Sequence, residues 1–375
     1  MSELLAYRER FPILAETNYL ISHSLGPMPL EAKARLEEYA DTWSSRGIRA
    51  WGEGWWETSI TIGDKIARLI GAPPGSVVMH QNVTVAAAVV LSCFPFAGER
   101  RRIVYGEGEF PSVRYVMQGA REAEVAVVPG EEELLGAIDE RTQLVLLSHV
   151  LFRTGRIQDV EPVIRRAHEV GAHVLLDAYQ SVGTVPLDVA SLGLDFATGG
   201  SVKWLCGGPG AGWLYVRPEL ADRLEPGLVG WQAHAEPFAF EPAIRYASGA
   251  ARFLTGTPNV PALYAASAGY DIVHEVGVDR VRARSLELTD RLIYRLDDAG
   301  FEIVSPREPE QRGGTVVVRV SDPPAVYAEM ERRAILADVR PDVGIRLGPH
   351  FFTTDDEVDE AAAAIAEIAA ATPVA

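Results

Sequence analysis

The chain has 375 residues, 47% of them hydrophobic and 23% charged, and its 35 lysines and arginines stand against 52 aspartates and glutamates, a formal net charge of −17. This composition excludes a disordered or collagen-like chain, and the length predicts about two domains at roughly 100–200 residues each. The negative balance repels phosphate backbones and anionic lipids, and the sequence has no compensating basic stripe, so we expect neither a nucleic-acid nor a membrane partner.

The cysteines and the apolar runs bear on the compartment. Cys93 and Cys206 are the two cysteines of the chain, which argues against a disulfide scaffold or a multi-cysteine metal site and favours a reducing compartment. Residues 1–14 mix charged with apolar side chains and lack a signal-peptide core. The most apolar run, residues 83–96, contains Pro95 and is too short to span a bilayer. We therefore expect a cytoplasmic protein without a metal site.

Between about residues 75 and 220, β-rich runs alternate with helical periodicity, which is the pattern of a mainly parallel sheet with helices on its faces. A helix is predicted with Asp159 as its N-cap, Pro162 in its first turn and Gly171 after its end. The predicted strands are residues 102–105, 124–128, 143–148, 173–177 and 212–216. The pattern predicts an α/β fold built on βαβ units.

The pattern changes after about residue 260. We predict a long amphipathic helix over residues 261–299, a strand over 315–320, a helix over 324–333, and then a strand pair and a closing helix. Thr354 and Glu357 have the spacing of a capping box at the start of that closing helix. These elements predict a smaller α+β unit at the end of the chain.

The stretch from residue 173 to residue 216 carries the most chemistry. A buried strand ends on Asp177, Gln180 follows it, and Lys203 stands in a glycine-rich turn before another strand. Open α/β sheets bind ligands at the carboxyl ends of their strands. A lysine for a Schiff base and a carboxylate that keeps a pyridine nitrogen protonated are the two groups that pyridoxal phosphate requires. The stretch therefore predicts a pyridoxal phosphate site.

With these residues the chain resembles the class V aminotransferase family of fold-type-I pyridoxal phosphate enzymes. The resemblance is to kynureninases over most of the length and to cysteine desulfurases around the cofactor, and it runs from NYLISHSLGPMP (18–29) through LVGW (228–231) to GIRLGPHF (344–351). It implies an aspartate-aminotransferase-like α/β fold, with a large, mainly parallel sheet domain and a smaller α+β C-terminal domain, in a homodimer with shared active sites. The predicted divisions are an N-terminal segment at 1–45 that packs on the small domain, the large domain at 46–259 and the small domain at 260–375.

The same resemblance implies roles for single residues. Lys203 resembles the Schiff-base lysine that later moves a proton between the substrate and the cofactor, and Asp177 resembles the carboxylate that pairs with the pyridine nitrogen. Phe110 resembles the aromatic that stacks on the ring, and Gln180 the glutamine that binds the 3′ oxygen. Arg346 resembles the arginine that clamps a substrate α-carboxylate through two parallel hydrogen bonds. The other implied cofactor contacts are Val83, Thr84, Ser148, Ser201, Trp231 and Thr257, the last from the partner subunit.

Several residues depart from both groups of relatives. Where kynureninases have a tyrosine, a histidine and an acid, this chain has Val202, Gln180 and Val113. Cysteine desulfurases attack with a cysteine that precedes the carboxylate-binding arginine, and residues 335–346 contain none. These departures argue against hydrolysis of kynurenine itself and against persulfide chemistry.

Two further features admit a functional interpretation. The cluster of Trp51, Trp55 and Trp56 is typical of a core or subunit interface, where tryptophan is enriched, but it also fits an aromatic wall at the substrate entrance. Arg153 stands where kynureninases have a tyrosine, so it is a candidate to bind a second acidic group of the substrate.

The sequence therefore predicts a cytoplasmic, homodimeric pyridoxal phosphate enzyme that acts on an amino acid and cleaves a Cβ–C or Cβ–S bond. Transamination is the alternative, because it needs only Lys203 to reprotonate the cofactor at C4′. A true kynureninase and a non-catalytic cofactor-binding protein are further alternatives.

Overall fold

The computed structural model describes residues 2–371, so the parts of the predicted segments that fall on Met1 and on residues 372–375 lie outside the described residues. The helices are, in chain order, α1 (Ser2–Leu5), α2 (Leu30–Arg46), α3 (Thr58–Leu69), α4 (Val83–Leu91), α5 (Pro111–Gln118), α6 (Glu131–Ala137), α7 (Val160–Glu169), α8 (Pro218–Ala221), α9 (Val260–Val276), α10 (Val278–Asp298), α11 (Pro323–Arg332) and α12 (Asp355–Ala371). The strands are β1 (Asn18–Tyr19), β2 (Val77–His80), β3 (Arg102–Gly106), β4 (Glu124–Val128), β5 (Thr142–Ser148), β6 (His173–Asp177), β7 (Phe196–Gly200), β8 (Gly212–Val216), β9 (Glu302–Ile303), β10 (Val316–Arg319), β11 (Ile335–Leu336), β12 (Asp338–Arg340) and β13 (Gly344–Leu347).

The large sheet has the strand order β2-β8-β7-β6-β5-β3-β4. Neighbours from β7 to β4 are parallel, and β8 is antiparallel to both of its neighbours. Strand β5, which lies between β6 and β3, is buried on both faces, because Val145 and Leu147 pack into one hydrophobic core and Leu144 and Leu146 into the other. A continuous apolar run is what a strand covered by helices on both sides requires. The predicted α/β fold with a mainly parallel sheet is confirmed.

The carboxyl ends of three parallel strands, β5, β6 and β7, lie side by side in this sheet. Ser148 at the end of β5 is opposite Asp177 at the end of β6, and Asp177 is opposite Thr198 in β7. Lys203 follows the end of β7 by three residues. The fold therefore brings the residues that carry chemistry to the edge where open α/β sheets bind their ligands.

A second, antiparallel sheet of order β12-β13-β10-β9 packs against α10, α11 and α12. The N-terminal segment joins it, since β1 pairs with β11 and Arg8 donates to Glu357 of α12 at 2.9 Å. The described arrangement is compatible with the predicted N-terminal segment and small domain, whose boundaries stay predictions.

Two details of the helix predictions were wrong. The single helix predicted over residues 261–299 is two helices, α9 and α10, because Gly277 between them has φ 85°, a conformation that favours glycine and that no helix continues through. Asp159 precedes α7 as predicted, but its side chain accepts no capping hydrogen bond within the described structure. The strands β2 and β7 were not predicted.

The capping box at the last helix is confirmed. The Glu357 N–H donates to Thr354 Oγ1 at 3.1 Å, and the Thr354 N–H donates to Glu357 Oε2 at 2.8 Å. Cys93 and Cys206 are free thiols, and burial raises the pKa of Cys93 to about 12, as expected of structural cysteines. Among residues 2–371, no helix combines the length and the apolar character that a bilayer crossing requires.

Candidate active site

A cavity of about 420 Å³ opens at the carboxyl ends of the parallel strands, between the two sheets. It brings together residues that are far apart in the chain but that the sequence predicts to act together. These are Val83, Thr84, Phe110, Ser148, Asp177, Gln180, Lys203 and Arg346. The cavity is also lined by residues that were not predicted as site residues, among them His23, Tyr179 and Arg340.

The turn that carries Lys203 is fixed by backbone hydrogen bonds. The Gly26 N–H donates to the Val202 carbonyl at 2.7 Å, and the Cys206 N–H donates to the Lys203 carbonyl at 3.0 Å. A Cβ atom at position 26 would lie 2.2 Å from the Lys203 carbonyl oxygen, so only glycine permits this approach. The N-terminal segment thus holds the backbone of Lys203 in place.

The Lys203 side chain lies among aromatic rings at one end of the cavity. Its Nζ is 4.4 Å from the centroid of the Tyr179 ring and 5.4 Å from that of Phe110. Burial lowers the pKa of Lys203 to about 7, although the charge of Asp177 opposes the shift. A large share of the amine is therefore neutral at neutral pH, which is the form that acts as nucleophile and base.

Asp177 is a buried carboxylate in the same cavity. Its Oδ1 accepts the Tyr179 N–H at 2.9 Å. Burial raises its pKa, while this hydrogen bond and the charge of Lys203 oppose the rise. A carboxylate with so little solvation is strongly stabilised by a protonated nitrogen that binds to it.

The start of helix α4 lines the same cavity. The Asn82 side chain caps it by accepting the Val85 N–H at 3.1 Å, and Val83 and Thr84 lie in its first turn, where backbone N–H groups have no partner within a helix. A Cβ at Gly212 would lie 2.6 Å from the Asn82 backbone, so glycine allows β8 to support this turn. The start of α4 is suited to bind an anion such as a phosphate.

Gln180 is held from both sides. Its Nε2 donates to the His23 carbonyl at 3.1 Å, and its Oε1 accepts the Trp204 Nε1–H at 3.1 Å. Because both ends of the Gln180 amide are bound, the amide has one defined orientation, and one of its N–H groups can still donate within the cavity. The neighbouring His23 ring is buried, and burial lowers its pKa to about 4.

Arg346 is bound to an acid that the sequence did not predict. Its Nε and Nη2 donate to the two carboxylate oxygens of Asp338 at 2.7 and 2.6 Å, and its Nη1 donates to the Phe152 carbonyl at 2.5 Å. Although burial works against it, the His23 ring, whose Nε2 is 3.5 Å from Asp338 Oδ1, and the hydrogen bonds from Arg346 hold the pKa of Asp338 below its usual range. Asp338 thus occupies the Nε–Nη2 edge of the Arg346 guanidinium, the edge that would bind both oxygens of a substrate carboxylate.

Ser148 lies beside a second acid that was missed, Glu109. The Ser148 N–H donates to Glu109 Oε1 at 2.9 Å, and its hydroxyl donates to Oε2. Burial raises the pKa of Glu109 to about 7, and the charge of Asp177 adds to the rise. The one signal for this residue in the sequence is its position directly before Phe110.

Three predicted cofactor contacts are not among the described residues that line the cavity. The Ser201 hydroxyl donates to the Ala211 carbonyl at 2.6 Å and contacts the Tyr270 hydroxyl. These contacts stabilise the turn that carries Lys203. Trp231 and Thr257 are exposed. Their contacts with the cofactor stay predictions, and the predicted contact of Thr257 is made from the partner subunit.

Arg153 is not among the described residues that line the cavity. It is exposed, and its Nη2 donates to the Pro341 carbonyl at 3.5 Å, next to Arg340 in the chain. Its assignment to a second acidic group of the substrate stays a prediction.

The tryptophan cluster also lies away from the described cavity lining. Trp55 is buried, packs against Tyr39 and donates from Nε1 to the Tyr264 hydroxyl at 3.2 Å. Trp56 packs against Trp231 with ring centroids 4.8 Å apart. These contacts favour the core or interface interpretation over the aromatic wall.

The fold and the site together define a fold-type-I pyridoxal phosphate enzyme. The family model for aminotransferase class-V matches residues 19–350, and the chain therefore belongs to the class V aminotransferase family. It is 33% identical to the kynureninase of Pseudomonas fluorescens over an alignment of 379 positions, which covers 96% of this chain and 91% of that protein. It is 31% identical to the uncharacterized aminotransferase YcbU of Bacillus subtilis strain 168, with 98% of this chain and 97% of that one covered.

Solved structures support the same fold. The cystine C–S lyase C-DES, in complex with its product cysteine persulfide, superposes with a TM-score of 0.86 at 22% identity over 96% of this chain and 99% of that one. The apo cysteine desulfurase of Thermococcus onnurineus NA1 gives a TM-score of 0.85 at 21% identity over 98% of both chains.

The residues of the cavity fit pyridoxal phosphate by their chemistry. The start of α4 is suited to a phosphate, Asp177 to a protonated ring nitrogen, and the partly neutral amine of Lys203 to an aldehyde. Each of these groups lines the one cavity. The cavity of this chain thus has the donors and acceptors that the cofactor of its family requires.

We predict that the rate at which the cofactor-free protein captures pyridoxal phosphate rises with pH and levels off above about 7. The neutral amine is the attacking form, and a lowered pKa means that deprotonation is complete at a lower pH. Stopped-flow absorbance at several pH values measures this rate. A lysine with the unperturbed pKa of about 10.4 would instead give a rate that still rises at about pH 9.

Proposed function

We propose that this chain acts on an amino acid and cleaves a Cβ–C or Cβ–S bond of the substrate. The observation that carries the proposal is the presence of Lys203, Asp177 and Arg346 in the lining of one cavity, with Asp338 paired to Arg346. The similarity to kynureninase over nearly the whole chain supports a reaction at Cβ.

Each residue has a defined task in this proposal. Lys203 in its neutral form takes the proton from the substrate Cα, and Asp177 holds a proton on the ring nitrogen that faces it. Val83 and Thr84 bind the phosphate through backbone N–H groups and a hydroxyl, and Gln180 donates to the 3′ oxygen. When bound, pyridoxal phosphate supplies a ring that withdraws electron density from the substrate Cα.

Phe110 and Ser148, which also line the cavity, would hold the cofactor as well, Phe110 against its ring. Ser201 supports the Lys203 turn through its hydrogen bond to the Ala211 carbonyl at 2.6 Å, and its contact with the cofactor stays a prediction.

Transamination is the second candidate, and one observation favours it. Val202 lines the cavity directly before the lysine, so this position supplies no acid or base for the steps that follow proton removal. Transamination needs none beyond Lys203, and the similarity to the aminotransferase YcbU supports it as well.

A panel of amino acids separates the two reactions. The holoenzyme is incubated with each amino acid in the absence of any keto acid, and the visible spectrum and the products are followed. We expect a β-fragment to be released while the spectrum of the Lys203-bound cofactor returns. Accumulation of the amino form of the cofactor without such a fragment would establish transamination instead, and no change with any amino acid would refute both.

We also propose a homodimer with shared active sites in the cytoplasm. An apolar groove of about 720 Å³ is lined by Leu25, Met28 and Leu30, which are about half exposed in the single chain, and such a patch favours burial against another protein surface. Thr257, which is exposed in the single chain, would contact the cofactor of the partner subunit in this dimer. A solution mass of one chain, measured by light scattering on the holoenzyme, would contradict the dimer.

A further inference from the structure

The substrate end of the cavity contains a second arginine, Arg340. It lies on β12, and Arg346 lies on the adjacent antiparallel strand β13, with Asp338 directly opposite Arg346. Both arginines line the cavity. The small sheet thus presents two guanidinium groups to the same cavity, and the Asp338 carboxylate pairs with both of them.

The two arginines differ in how fully they are bound. Arg346 is 2% exposed and uses three of its N–H groups on Asp338 and on the Phe152 carbonyl. Arg340 is 38% exposed, shares Asp338 Oδ2 at 3.0 Å and donates to the Val339 carbonyl at 3.0 Å. Of the five N–H groups in a guanidinium, Arg340 therefore has more left to donate into the cavity than Arg346 has.

The charged groups at the arginine end of the cavity favour the binding of one anion. Asp338 is a single negative charge between two guanidinium groups, and His23 beside it is neutral at neutral pH because burial lowers its pKa to about 4. The other charged groups that line the cavity, Lys203 and Asp177, are placed to serve the cofactor. One net positive charge remains, and it matches a single carboxylate.

Part of the surrounding wall is apolar, since Val150, Phe152 and Val202 line the same cavity. The charged side chains in its described lining, apart from the neutral His23, are Asp177, Lys203, Arg340 and Arg346. A second carboxylate on the substrate would be desolvated in this space without a counter-charge, which is unfavourable.

We propose that Arg340 donates directly to the substrate α-carboxylate, together with the remaining N–H groups of Arg346, and that the substrate is an amino acid with one carboxylate and an uncharged, mainly apolar side chain. Asp338 orients both guanidinium groups. This inference rests on the proposed function, because it requires that the cavity bind an amino acid.

The test is a spectroscopic binding titration of the holoenzyme. The ligands are phenylalanine and leucine, aspartate and glutamate, and phenethylamine, which lacks the carboxylate of phenylalanine. The proteins are the wild type, Arg340→Met, Arg340→Lys and a matched control, Arg319→Met, whose arginine lies in the same sheet, pairs with Glu302 at 3.1 Å and does not line the described cavity.

We expect Arg340→Met to weaken binding of the neutral amino acids by about 10- to 100-fold, the range for one hydrogen bond to a charged group. Binding of phenethylamine changes by less than about twofold, Arg340→Lys recovers part of the loss, and Arg319→Met binds as the wild type does. The wild type binds phenylalanine and leucine more tightly than aspartate and glutamate.

Two results would overturn the inference while the proposed function stands. One is unchanged affinity of Arg340→Met for neutral amino acids, and the other is a preference of the wild type for aspartate or glutamate. Failure of the wild type to respond to any amino acid would instead refute the proposed function, and the inference with it. Cofactor content and melting temperature of each variant show that a loss of affinity does not come from unfolding.

Discussion

Replacement of Lys203 by alanine should abolish turnover and the visible absorption band of the holoenzyme. The variant lacks both the amine that attaches the cofactor and the base that moves the Cα proton. A general base alone contributes about 10²- to 10⁴-fold to a rate, so we expect turnover to fall by at least about 10³-fold. Product assays at saturating cofactor and amino acid, together with absorbance spectra, measure the two effects.

A matched lysine variant separates this effect from a general loss of charge. Lys65 pairs with Asp271 on α9 at 2.5 Å and does not line the described cavity. Lys65→Ala should keep the absorption band and the turnover within about twofold. Turnover by Lys203→Ala within about tenfold of the wild type would contradict the assigned role, provided circular dichroism shows the fold to be intact.

Asp177→Asn should lower turnover by about 10²- to 10³-fold, the range for loss of one preorganised electrostatic group. The two side chains have the same shape, and the amide oxygen of the variant would still accept the Tyr179 N–H that Asp177 Oδ1 accepts at 2.9 Å. The change therefore removes the negative charge and little else. Without that charge the ring nitrogen loses its proton more readily and withdraws electrons less well.

Turnover, the pH dependence of the cofactor spectrum and the melting temperature together report on this variant. Asp188→Asn is the control, because Asp188 is a surface residue that caps a turn by accepting the Ser191 N–H at 2.9 Å, a task that asparagine also performs. If Asp177→Asn keeps turnover within about threefold and its spectrum titrates as in the wild type, the carboxylate does not pair with the cofactor.

The sequence predicted those parts of the fold that depend on local patterns. The run QLVLLS is apolar at successive positions and therefore predicted β5 as a strand of a mainly parallel sheet, whose faces are both covered by helices. Thr354 and Glu357 predicted a helix start because both partners of the capping box are three residues apart. Strand β7, FATGG, was missed because two glycines hide the β-rich pattern.

The site was predictable where one motif carries several groups. Asp177 and Lys203 come from neighbouring strand ends, so their meeting follows from the topology of the sheet. The pairing of Arg346 with Asp338 was not predictable, because it depends on the register of β12 against β13. The role of Arg153 stays a prediction for a similar reason, since its position close to a strand end does not determine the direction of an exposed side chain.

The central claim is that Lys203 forms the covalent bond with pyridoxal phosphate. The chain has three lysines, Lys33, Lys65 and Lys203, so reduction of the holoenzyme with borohydride followed by peptide mass mapping identifies the attachment site without ambiguity. We predict the added mass of the reduced cofactor on the peptide that contains Lys203, at one equivalent per chain. Attachment to Lys33 or Lys65, or no attachment at all, would contradict the account.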